Sequence, residues 1–425
     1  MDNASHQMEF GQFFTTNETL LDAVHRFIKN DPPIILEPCC GRGDIVNHLL
    51  QHPDRPFTTF DLYEIDTSIE LLPAVAALRS PTGTTHNSPV SYCDFLASTA
   101  PIETFDTIVG NPPFVRTKRG NLYIDFISKC VDLLRPGGEL VFVVPSDFFK
   151  LTRAATTINY MMARGTFTHV FYPNDEHMFA EANVDVVVFR YCLGGVKGVE
   201  EGVEEGVEEG VEYAPGPGPN TVEYNGVQRY LNNTDGIITF SDSPDNNYLR
   251  LGDLFDIYVG IVSGCESVFK NDTLGDRRVL NAHGGRDNYI IPSEFPGPDT
   301  AVNDHLLQHK ERLLARRIRP FTEKNWFEWG ALRNTRVMTD SAGKKCVYVR
   351  NMTRLPTIAF TDNVGLFGSG IIMMVPKDGA CVSMDKTVEV INSDAFKENY
   401  MYSGRFRIGQ HQLANARVPH KDVKR

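Results

Sequence analysis

The residues best placed to do chemistry are Asn111-Pro112-Pro113-Phe114, directly after the apolar run Thr107-Ile108-Val109. Gly110 lets the backbone turn. Asn111 precedes a proline and is held extended. The two prolines fix φ and remove two backbone donors, so carbonyls are left over. The loop therefore offers a side-chain carbonyl at Asn111, a backbone carbonyl at Pro112 and a ring at Phe114. Such a set suits a planar molecule carrying an NH2, with two acceptors for its hydrogens and a face to stack on. A plain proline turn after a strand is the competing reading of these residues alone.

The elements that must position this loop can be read from the chain's periodicity. Gln12, Phe13 and Thr15 precede an apolar-periodic helix, Leu20 to Ile28, with Thr16 or Asn17 as its N-cap. Ile34 to Leu36 is a short buried strand running into Glu37-Pro38-Cys39-Cys40-Gly41-Arg42-Gly43, followed by a helix from Ile45 to Gln51. Strand, glycine turn and helix open a nucleotide-binding βαβ unit, although Gly-Arg-Gly lacks the third glycine of the dinucleotide fingerprint. A second strand, Phe57 to Leu62, ends near Glu64, Ile65 and Asp66, where such folds grip a ribose diol; a simple helix cap is the plainer reading. A helix is expected over Ser68 to Leu78, a third strand over Val90 to Cys93 ending at Asp94-Phe95, and the Asn111 loop closes a fourth. Further on come a helix from Leu122 to Leu134, a buried strand from Leu140 to Pro145, a helix from Ala154 to Arg164, and strands at Thr168 to Tyr172 and Val184 to Tyr191. Alternation of this kind predicts an α/β fold, a Rossmann-like doubly wound parallel sheet. Ligands of such sheets bind beyond the strands' carboxyl ends, where Glu37, Glu64, Asp94 and Asn111 all fall.

At 425 residues, two domains are expected. Residues 194–220 carry a Gly-Val-Glu-Glu repeat and a Gly-Pro tract, which cannot bury enough surface to fold and read as a disordered acidic linker. The expected division is 1–193, the linker 194–220, and 221–425 as a mixed α+β domain. The net charge of -12 is unevenly spread: residues 303–425 hold 21 Lys+Arg against 12 Asp+Glu, a net of +9. There basic and aromatic residues interleave: Arg316, Arg317, Arg319, Trp326, Arg333, Arg336, Arg350 and Arg354. This pattern suits nucleic-acid contact, against a basic solvated surface on an ordinary core. No apolar run is long enough for a membrane span. The first residues lack the order of a signal peptide. No Cys-x-x-Cys pair occurs among the eight cysteines, so neither a zinc site nor disulfides are expected, and a reducing intracellular compartment is.

With these residues together, the chain resembles the gamma-class, Taq-type N6-adenine DNA methyltransferases of restriction–modification systems. Gln12-Phe13-Phe14-Thr15 is similar to the family's motif before the first strand, and Glu37 through Gly43 to its cofactor loop, with Cys39-Cys40 a variation. Glu64-Ile65 resembles the ribose acid and its apolar neighbour, and Asp94-Phe95 the pair that holds the cofactor's adenine. Asn111-Pro112-Pro113-Phe114 resembles the catalytic motif, with Phe where Tyr is commoner, and Phe179 falls where the family has an aromatic that packs on the target base. The resemblance implies S-adenosyl-L-methionine as cofactor, no metal, and methyl transfer to an adenine flipped out of duplex DNA. It implies a C-terminal target-recognition domain, a monomer, and a separate cognate restriction endonuclease as partner. The same loop also serves enzymes acting on a glutamine amide in protein or a base in RNA, and a non-catalytic nucleic-acid-binding relative stays open.

Overall fold

The computed structural model describes the chain except residues 1–12, 33, 55, 80–88, 100–101, 118–119, 176, 180–183, 195–219, 245–247 and 424–425. Gln12 and the acidic repeat thus lie outside the described residues. The chain divides into two compact units, 1–245 and 246–425.

Among the described residues of the first unit, ten strands form one sheet: β1 (Ile35–Glu37), β2 (Phe60–Glu64), β3 (Val90–Tyr92), β4 (Phe105–Gly110), β5 (Leu134–Pro145), β6 (Gly165–Phe171), β7 (Val186–Leu193), β8 (Thr221–Tyr224), β9 (Val227–Thr234) and β10 (Ile237–Ser241). Their spatial order is β3-β2-β1-β4-β5-β7-β6-β8-β9-β10. The neighbours from β3 across to β5 are parallel. Helices α1 (Glu18–Phe27), α2 (Asp44–Gln51), α3 (Pro73–Ala76), α4 (Leu122–Leu133) and α5 (Ala155–Arg164) accompany them. Side chains of β5 alternate between two cores. Leu140, Phe142 and Val144 pack with α4 and α5, while Val141 and Val143 pack with α1 and α2. Burial on both faces is why this strand reads as an unbroken apolar run.

Asn17 caps α1, its side chain accepting from Thr19 N at 3.0 Å. The other end of α1 is tied to the sheet by Glu139, which is fully buried. Its carboxylate accepts from Lys29 N, Asn30 N, the Thr107 hydroxyl and Arg190 Nε. A buried carboxylate needs this many donors to offset its lost hydration.

Three expectations need correction. First, β7 runs antiparallel to both β5 and β6. A parallel return needs a crossover of a dozen or more residues, usually a helix, and the connection 172–185 holds no helix among its described residues. Second, residues 221–241 do not open a second domain. β8 pairs with β6 in parallel register, His169 opposite Glu223, and β9 and β10 extend the same sheet. Val222, Leu231, Ile238 and Phe240 join the first unit's core. Third, the helix expected over Ser68 to Leu78 shrinks to α3. Pro73 pushes Leu72 out of the helical region, to ψ 142°, and itself starts the helix.

The second unit holds a four-stranded antiparallel sheet, in the order Phe255–Val259, Ile371–Pro376, Lys345–Arg350, Ala359–Asn363. It too is covered on both faces. Val347, Val349, Ile372 and Met374 face one core; Cys346, Tyr348, Ile371 and Met373 face another that contains Trp326 and Trp329.

Candidate active site

In the sheet order, β2 and β3 lie on one side of β1 while β4 and β5 lie on the other. The order therefore reverses between β1 and β4, which is where a ligand crevice opens in such sheets. A cleft of about 240 Å³ occurs there, lined by residues from Phe13, Thr15, Glu37, Cys39, Gly41, Glu64, Ile65, Asp94, Phe95, Asn111 and Pro113. Each comes from a strand's carboxyl end or from the segment before α1. The structure thus gathers at one place most of the residues that the sequence singled out across a hundred positions.

The Asn111 amide has a fixed polarity. Its Nδ2 donates to the Phe13 carbonyl at 2.7 Å and to Thr15 Oγ1 at 3.0 Å. A carbonyl can only accept, so the nitrogen must face Phe13 and the oxygen must face away. That oxygen, Oδ1, is buried and accepts no hydrogen bond among the described residues. An unpaired buried acceptor costs about 1–3 kcal/mol unless a ligand satisfies it.

Glu37 is the second such group. It is 2 % exposed, and its Oε2 likewise has no partner among the described residues. Burial, then Asp44 and Glu64, push its carboxyl well above the usual range. Both orphans border the cleft, so it is short of one donor at Asn111 and of a cation or donor at Glu37. S-adenosylmethionine carries an ammonium, and its chemistry fits the deficit at Glu37.

Glu64 holds the glycine turn in place. Its Oε2 accepts from Gly41 N at 2.8 Å, and its Oε1 from Ile65 N and Asp66 N. About one of a carboxylate's four acceptor sites remains for a hydroxyl. Gly43 has φ 84°, and a Cβ there would meet Val75 at 2.7 Å, so both backbone and packing demand glycine. The Cys39 thiol donates to the main-chain carbonyl of Asn111 at 3.5 Å, and burial pushes its pKa well above the ordinary range. Asp94 caps a short turn through Leu96 N at 2.9 Å and is otherwise exposed. Ile65, which lines the same cleft, is 52 % exposed.

Phe114, Phe179 and Phe13 form a triangle, with centroids 5.7, 5.8 and 6.1 Å apart. Phe179 is 3 % exposed and lies edge-on to Phe114, at 78°. A sandwiched base needs parallel rings roughly 7 Å apart, twice the contact distance. In this arrangement the rings fill one another's space.

Lys129 was missed in the sequence, hidden in the apolar-periodic α4. Its ammonium donates to the carbonyls of Phe95 and Ser98, and lies 4.5 Å from the Phe95 ring centre. It closes the Asp94–Ser98 loop from below. The available signal was a single lysine in a helix whose other charged residues, Asp125 and Asp132, are both acidic.

In the second unit the basic residues separate into two kinds. Arg316 is 9 % exposed and donates to the carbonyls of Leu313, Ser263 and Trp326. Arg350 is 7 % exposed and donates to Ala282 and Thr357. Arg319 bonds Glu328 and the Trp329 carbonyl, and Trp326 is a core residue. These four hold the unit together, and a buried guanidinium already spent on carbonyls cannot reach a phosphate. Arg317, Arg333 and Arg354 are exposed, as is Arg336, which pairs with Asp340 at 3.3 Å.

Comparison with known proteins bears on the same residues. The family model of the Eco57I restriction-modification methylase matches residues 94–179, a span from Asp94 through Asn111 to Phe179. The type II methyltransferase M.HindII of Haemophilus influenzae is 25 % identical over 309 residues, covering 63 % of this chain and 56 % of that protein. M.HincII, also of Haemophilus influenzae, is 28 % identical over 212 residues, 45 % of this chain and 38 % of that one. The modification methylase CviBIII of Paramecium bursaria Chlorella virus NC1A is 31 % identical over 152 residues, 32 % and 38 % of the two chains. The matched region spans about half, or less, of each relative's length. On these matches, the chain is similar to the DNA-modifying methyltransferases of restriction–modification systems.

Proposed function

We propose that this protein methylates N6 of an adenine flipped out of duplex DNA. Bound S-adenosylmethionine would supply an already activated methyl group, so the chain's own task is to prepare the acceptor. The N6 lone pair of adenine is delocalised into the ring. Asn111 Oδ1 and the Pro112 carbonyl accept the two N6 hydrogens, which favours a pyramidal nitrogen with its lone pair directed at the methyl. Glu37, Glu64 and Asp94 hold the cofactor's ammonium, ribose and adenine, with Ile65 and Phe95 flanking the ring. Phe114 stacks on the target base. Phe179 takes its second face once the aromatic triangle parts. Flipping costs a few kcal/mol, and stacking of ~1–3 kcal/mol per base offsets it. Arg317, Arg333, Arg336 and Arg354 meet phosphates in a sequence-reading second unit, and the protein acts as a monomer beside a separate endonuclease.

The observation that carries this reading is the polarity of the Asn111 amide: its donors are consumed internally, and a lone buried oxygen is left on a residue that lines the cleft. The test is to incubate the protein with tritiated S-adenosylmethionine and, separately, duplex DNA, RNA and protein, then digest the labelled product. Label in N6-methyladenine from DNA is expected. Label confined to RNA or to glutamine, or none at all, refutes the assignment.

A further inference from the structure

The faces of α1 and α2 outside the cleft hold a group of side chains that the methyl-transfer reading does not use. Asp22 and His25 lie one turn apart on α1; His48 is in the last turn of α2 and His52 caps it. One ligand atom from each of Asp22, His48 and His52 lies within 4.8 Å of the other two. His48 Nε2 approaches Asp22 Oδ1 to 3.2 Å but is not aligned for a hydrogen bond, so this buried nitrogen has none among the described residues. Among the described residues, His52 Nδ1 accepts only a long 3.4 Å bond from Asp54 N, which is weak. The His25 ring stacks on His52, centroids 3.4 Å apart and 13° from parallel, and so limits how that ring can turn.

We propose that Asp22, His48 and His52 form a site for a divalent transition ion of the zinc class. Two imidazoles and a carboxylate select zinc, cobalt or nickel over calcium or magnesium, which prefer oxygen alone. Zinc bonds of ~2.0–2.1 Å place tetrahedral ligand atoms roughly 3.4 Å apart. Binding would draw the three ligand atoms, now within 4.8 Å of one another, closer together. The carboxyl end of α2 carries the negative pole of its dipole, which favours a cation there. The side chain of Asp22 is 64 % exposed, leaving room for water as a fourth ligand. The ion would tie α1, which follows the Phe13–Thr15 segment, to α2, which follows the glycine turn. It would brace the protein and take no part in the chemistry.

The test is a cobalt titration of the full chain, followed by its visible d–d absorption. One equivalent should bind and be displaced by zinc, and zinc should raise the Tm. Asp22→Asn, a change at an exposed position, and His52→Gln should each weaken cobalt binding about 10-fold or more and abolish the zinc-dependent Tm rise. The proposal is overturned if wild type takes up no cobalt. It is equally overturned if both variants bind with unchanged affinity, which would place the metal elsewhere, such as on the exposed thiols of Cys93 and Cys381.

Discussion

Replacing Asn111 with aspartate keeps the shape of the side chain and reverses one of its two polar ends. In the native protein Nδ2 donates to the Phe13 carbonyl at 2.7 Å. An aspartate oxygen there would face another acceptor at the same distance. One hydrogen bond is lost, worth about 1 kcal/mol, and the Phe13 carbonyl is left unpaired at a further ~1–3 kcal/mol. Thr15 can turn its hydroxyl to donate, so its contact survives. The sum, ~2–4 kcal/mol, is relieved by the side chain swinging off the productive position. At 1.4 kcal/mol per tenfold, kcat falls by roughly 30- to 1000-fold. The pH dependence is the sharper readout. Protonation of the new carboxyl restores a donor toward Phe13 and a carbonyl toward the cleft, so residual activity should rise as pH falls. The assay is tritium transfer from S-adenosylmethionine to duplex DNA between pH 6 and 9, with cofactor affinity measured alongside. A variant with native kcat at pH 8, or one whose activity relative to wild type does not rise as pH falls, would sink the argument that amide polarity positions this residue.

Glu37→Gln removes a buried carboxylate whose folded pKa is raised. That shift penalises the fold from just above the ordinary carboxylate pKa upward, so the ligand-free variant should melt higher than wild type at pH 8 while binding S-adenosylmethionine about 10-fold more weakly; calorimetry and a melt in parallel check both signs. Lys129→Met frees the Asp94–Ser98 loop from its carbonyl clamp, so KM for the cofactor should rise several-fold with kcat little changed, a split that steady-state kinetics resolves. His169 is held by burial, and then by nearby cations, down to about 4. Its folded pKa lies below the ordinary 6.5, so stability is full above that value and is lost as pH falls toward 4, by ~3 kcal/mol at most. His169→Asn should flatten urea-unfolding free energies over that window. Arg333→Ala and Arg354→Ala should each weaken DNA binding and lower its salt dependence, as gel shifts at graded salt would register.

The strand-end residues were legible in the sequence because each depends on short-range information. A strand ends where its apolar run stops, and in a parallel sheet every such end points the same way. Glu37, Glu64, Asp94 and Asn111 could therefore be assigned to one crevice without knowing which strands are neighbours. The second-domain boundary was not legible, because 221–241 alternate as any exposed hairpin does. Only the register of β8 against β6 reveals which sheet they complete. Arginine was ambiguous for a different reason. A guanidinium folded onto three carbonyls, as at Arg316, and one in solvent, as at Arg317, are written identically and stand side by side.

The aromatic triangle was not legible either, and it bears most on how the site would work. Phe179 is placed by a segment 65 residues after Phe114, yet its ring lies 6.1 Å from that ring and 5.8 Å from Phe13. The Phe13 backbone also accepts from Asn111, so the residue that fixes the Asn111 amide contributes a ring to the space a base would need. Entry of a purine therefore requires the Phe13 or Phe179 ring to turn while the Phe13 carbonyl stays still. Truncation at Phe13 separates the two roles, because Phe13→Ala removes the ring and leaves the carbonyl. Such a variant should capture a fluorescent base analogue at least as readily as wild type and keep its amide geometry. Phe179→Ala should lose capture, because it deletes one face of the stack. If Phe13→Ala instead abolished capture, the ring would be part of the base's seat, and the triangle would be its resting form.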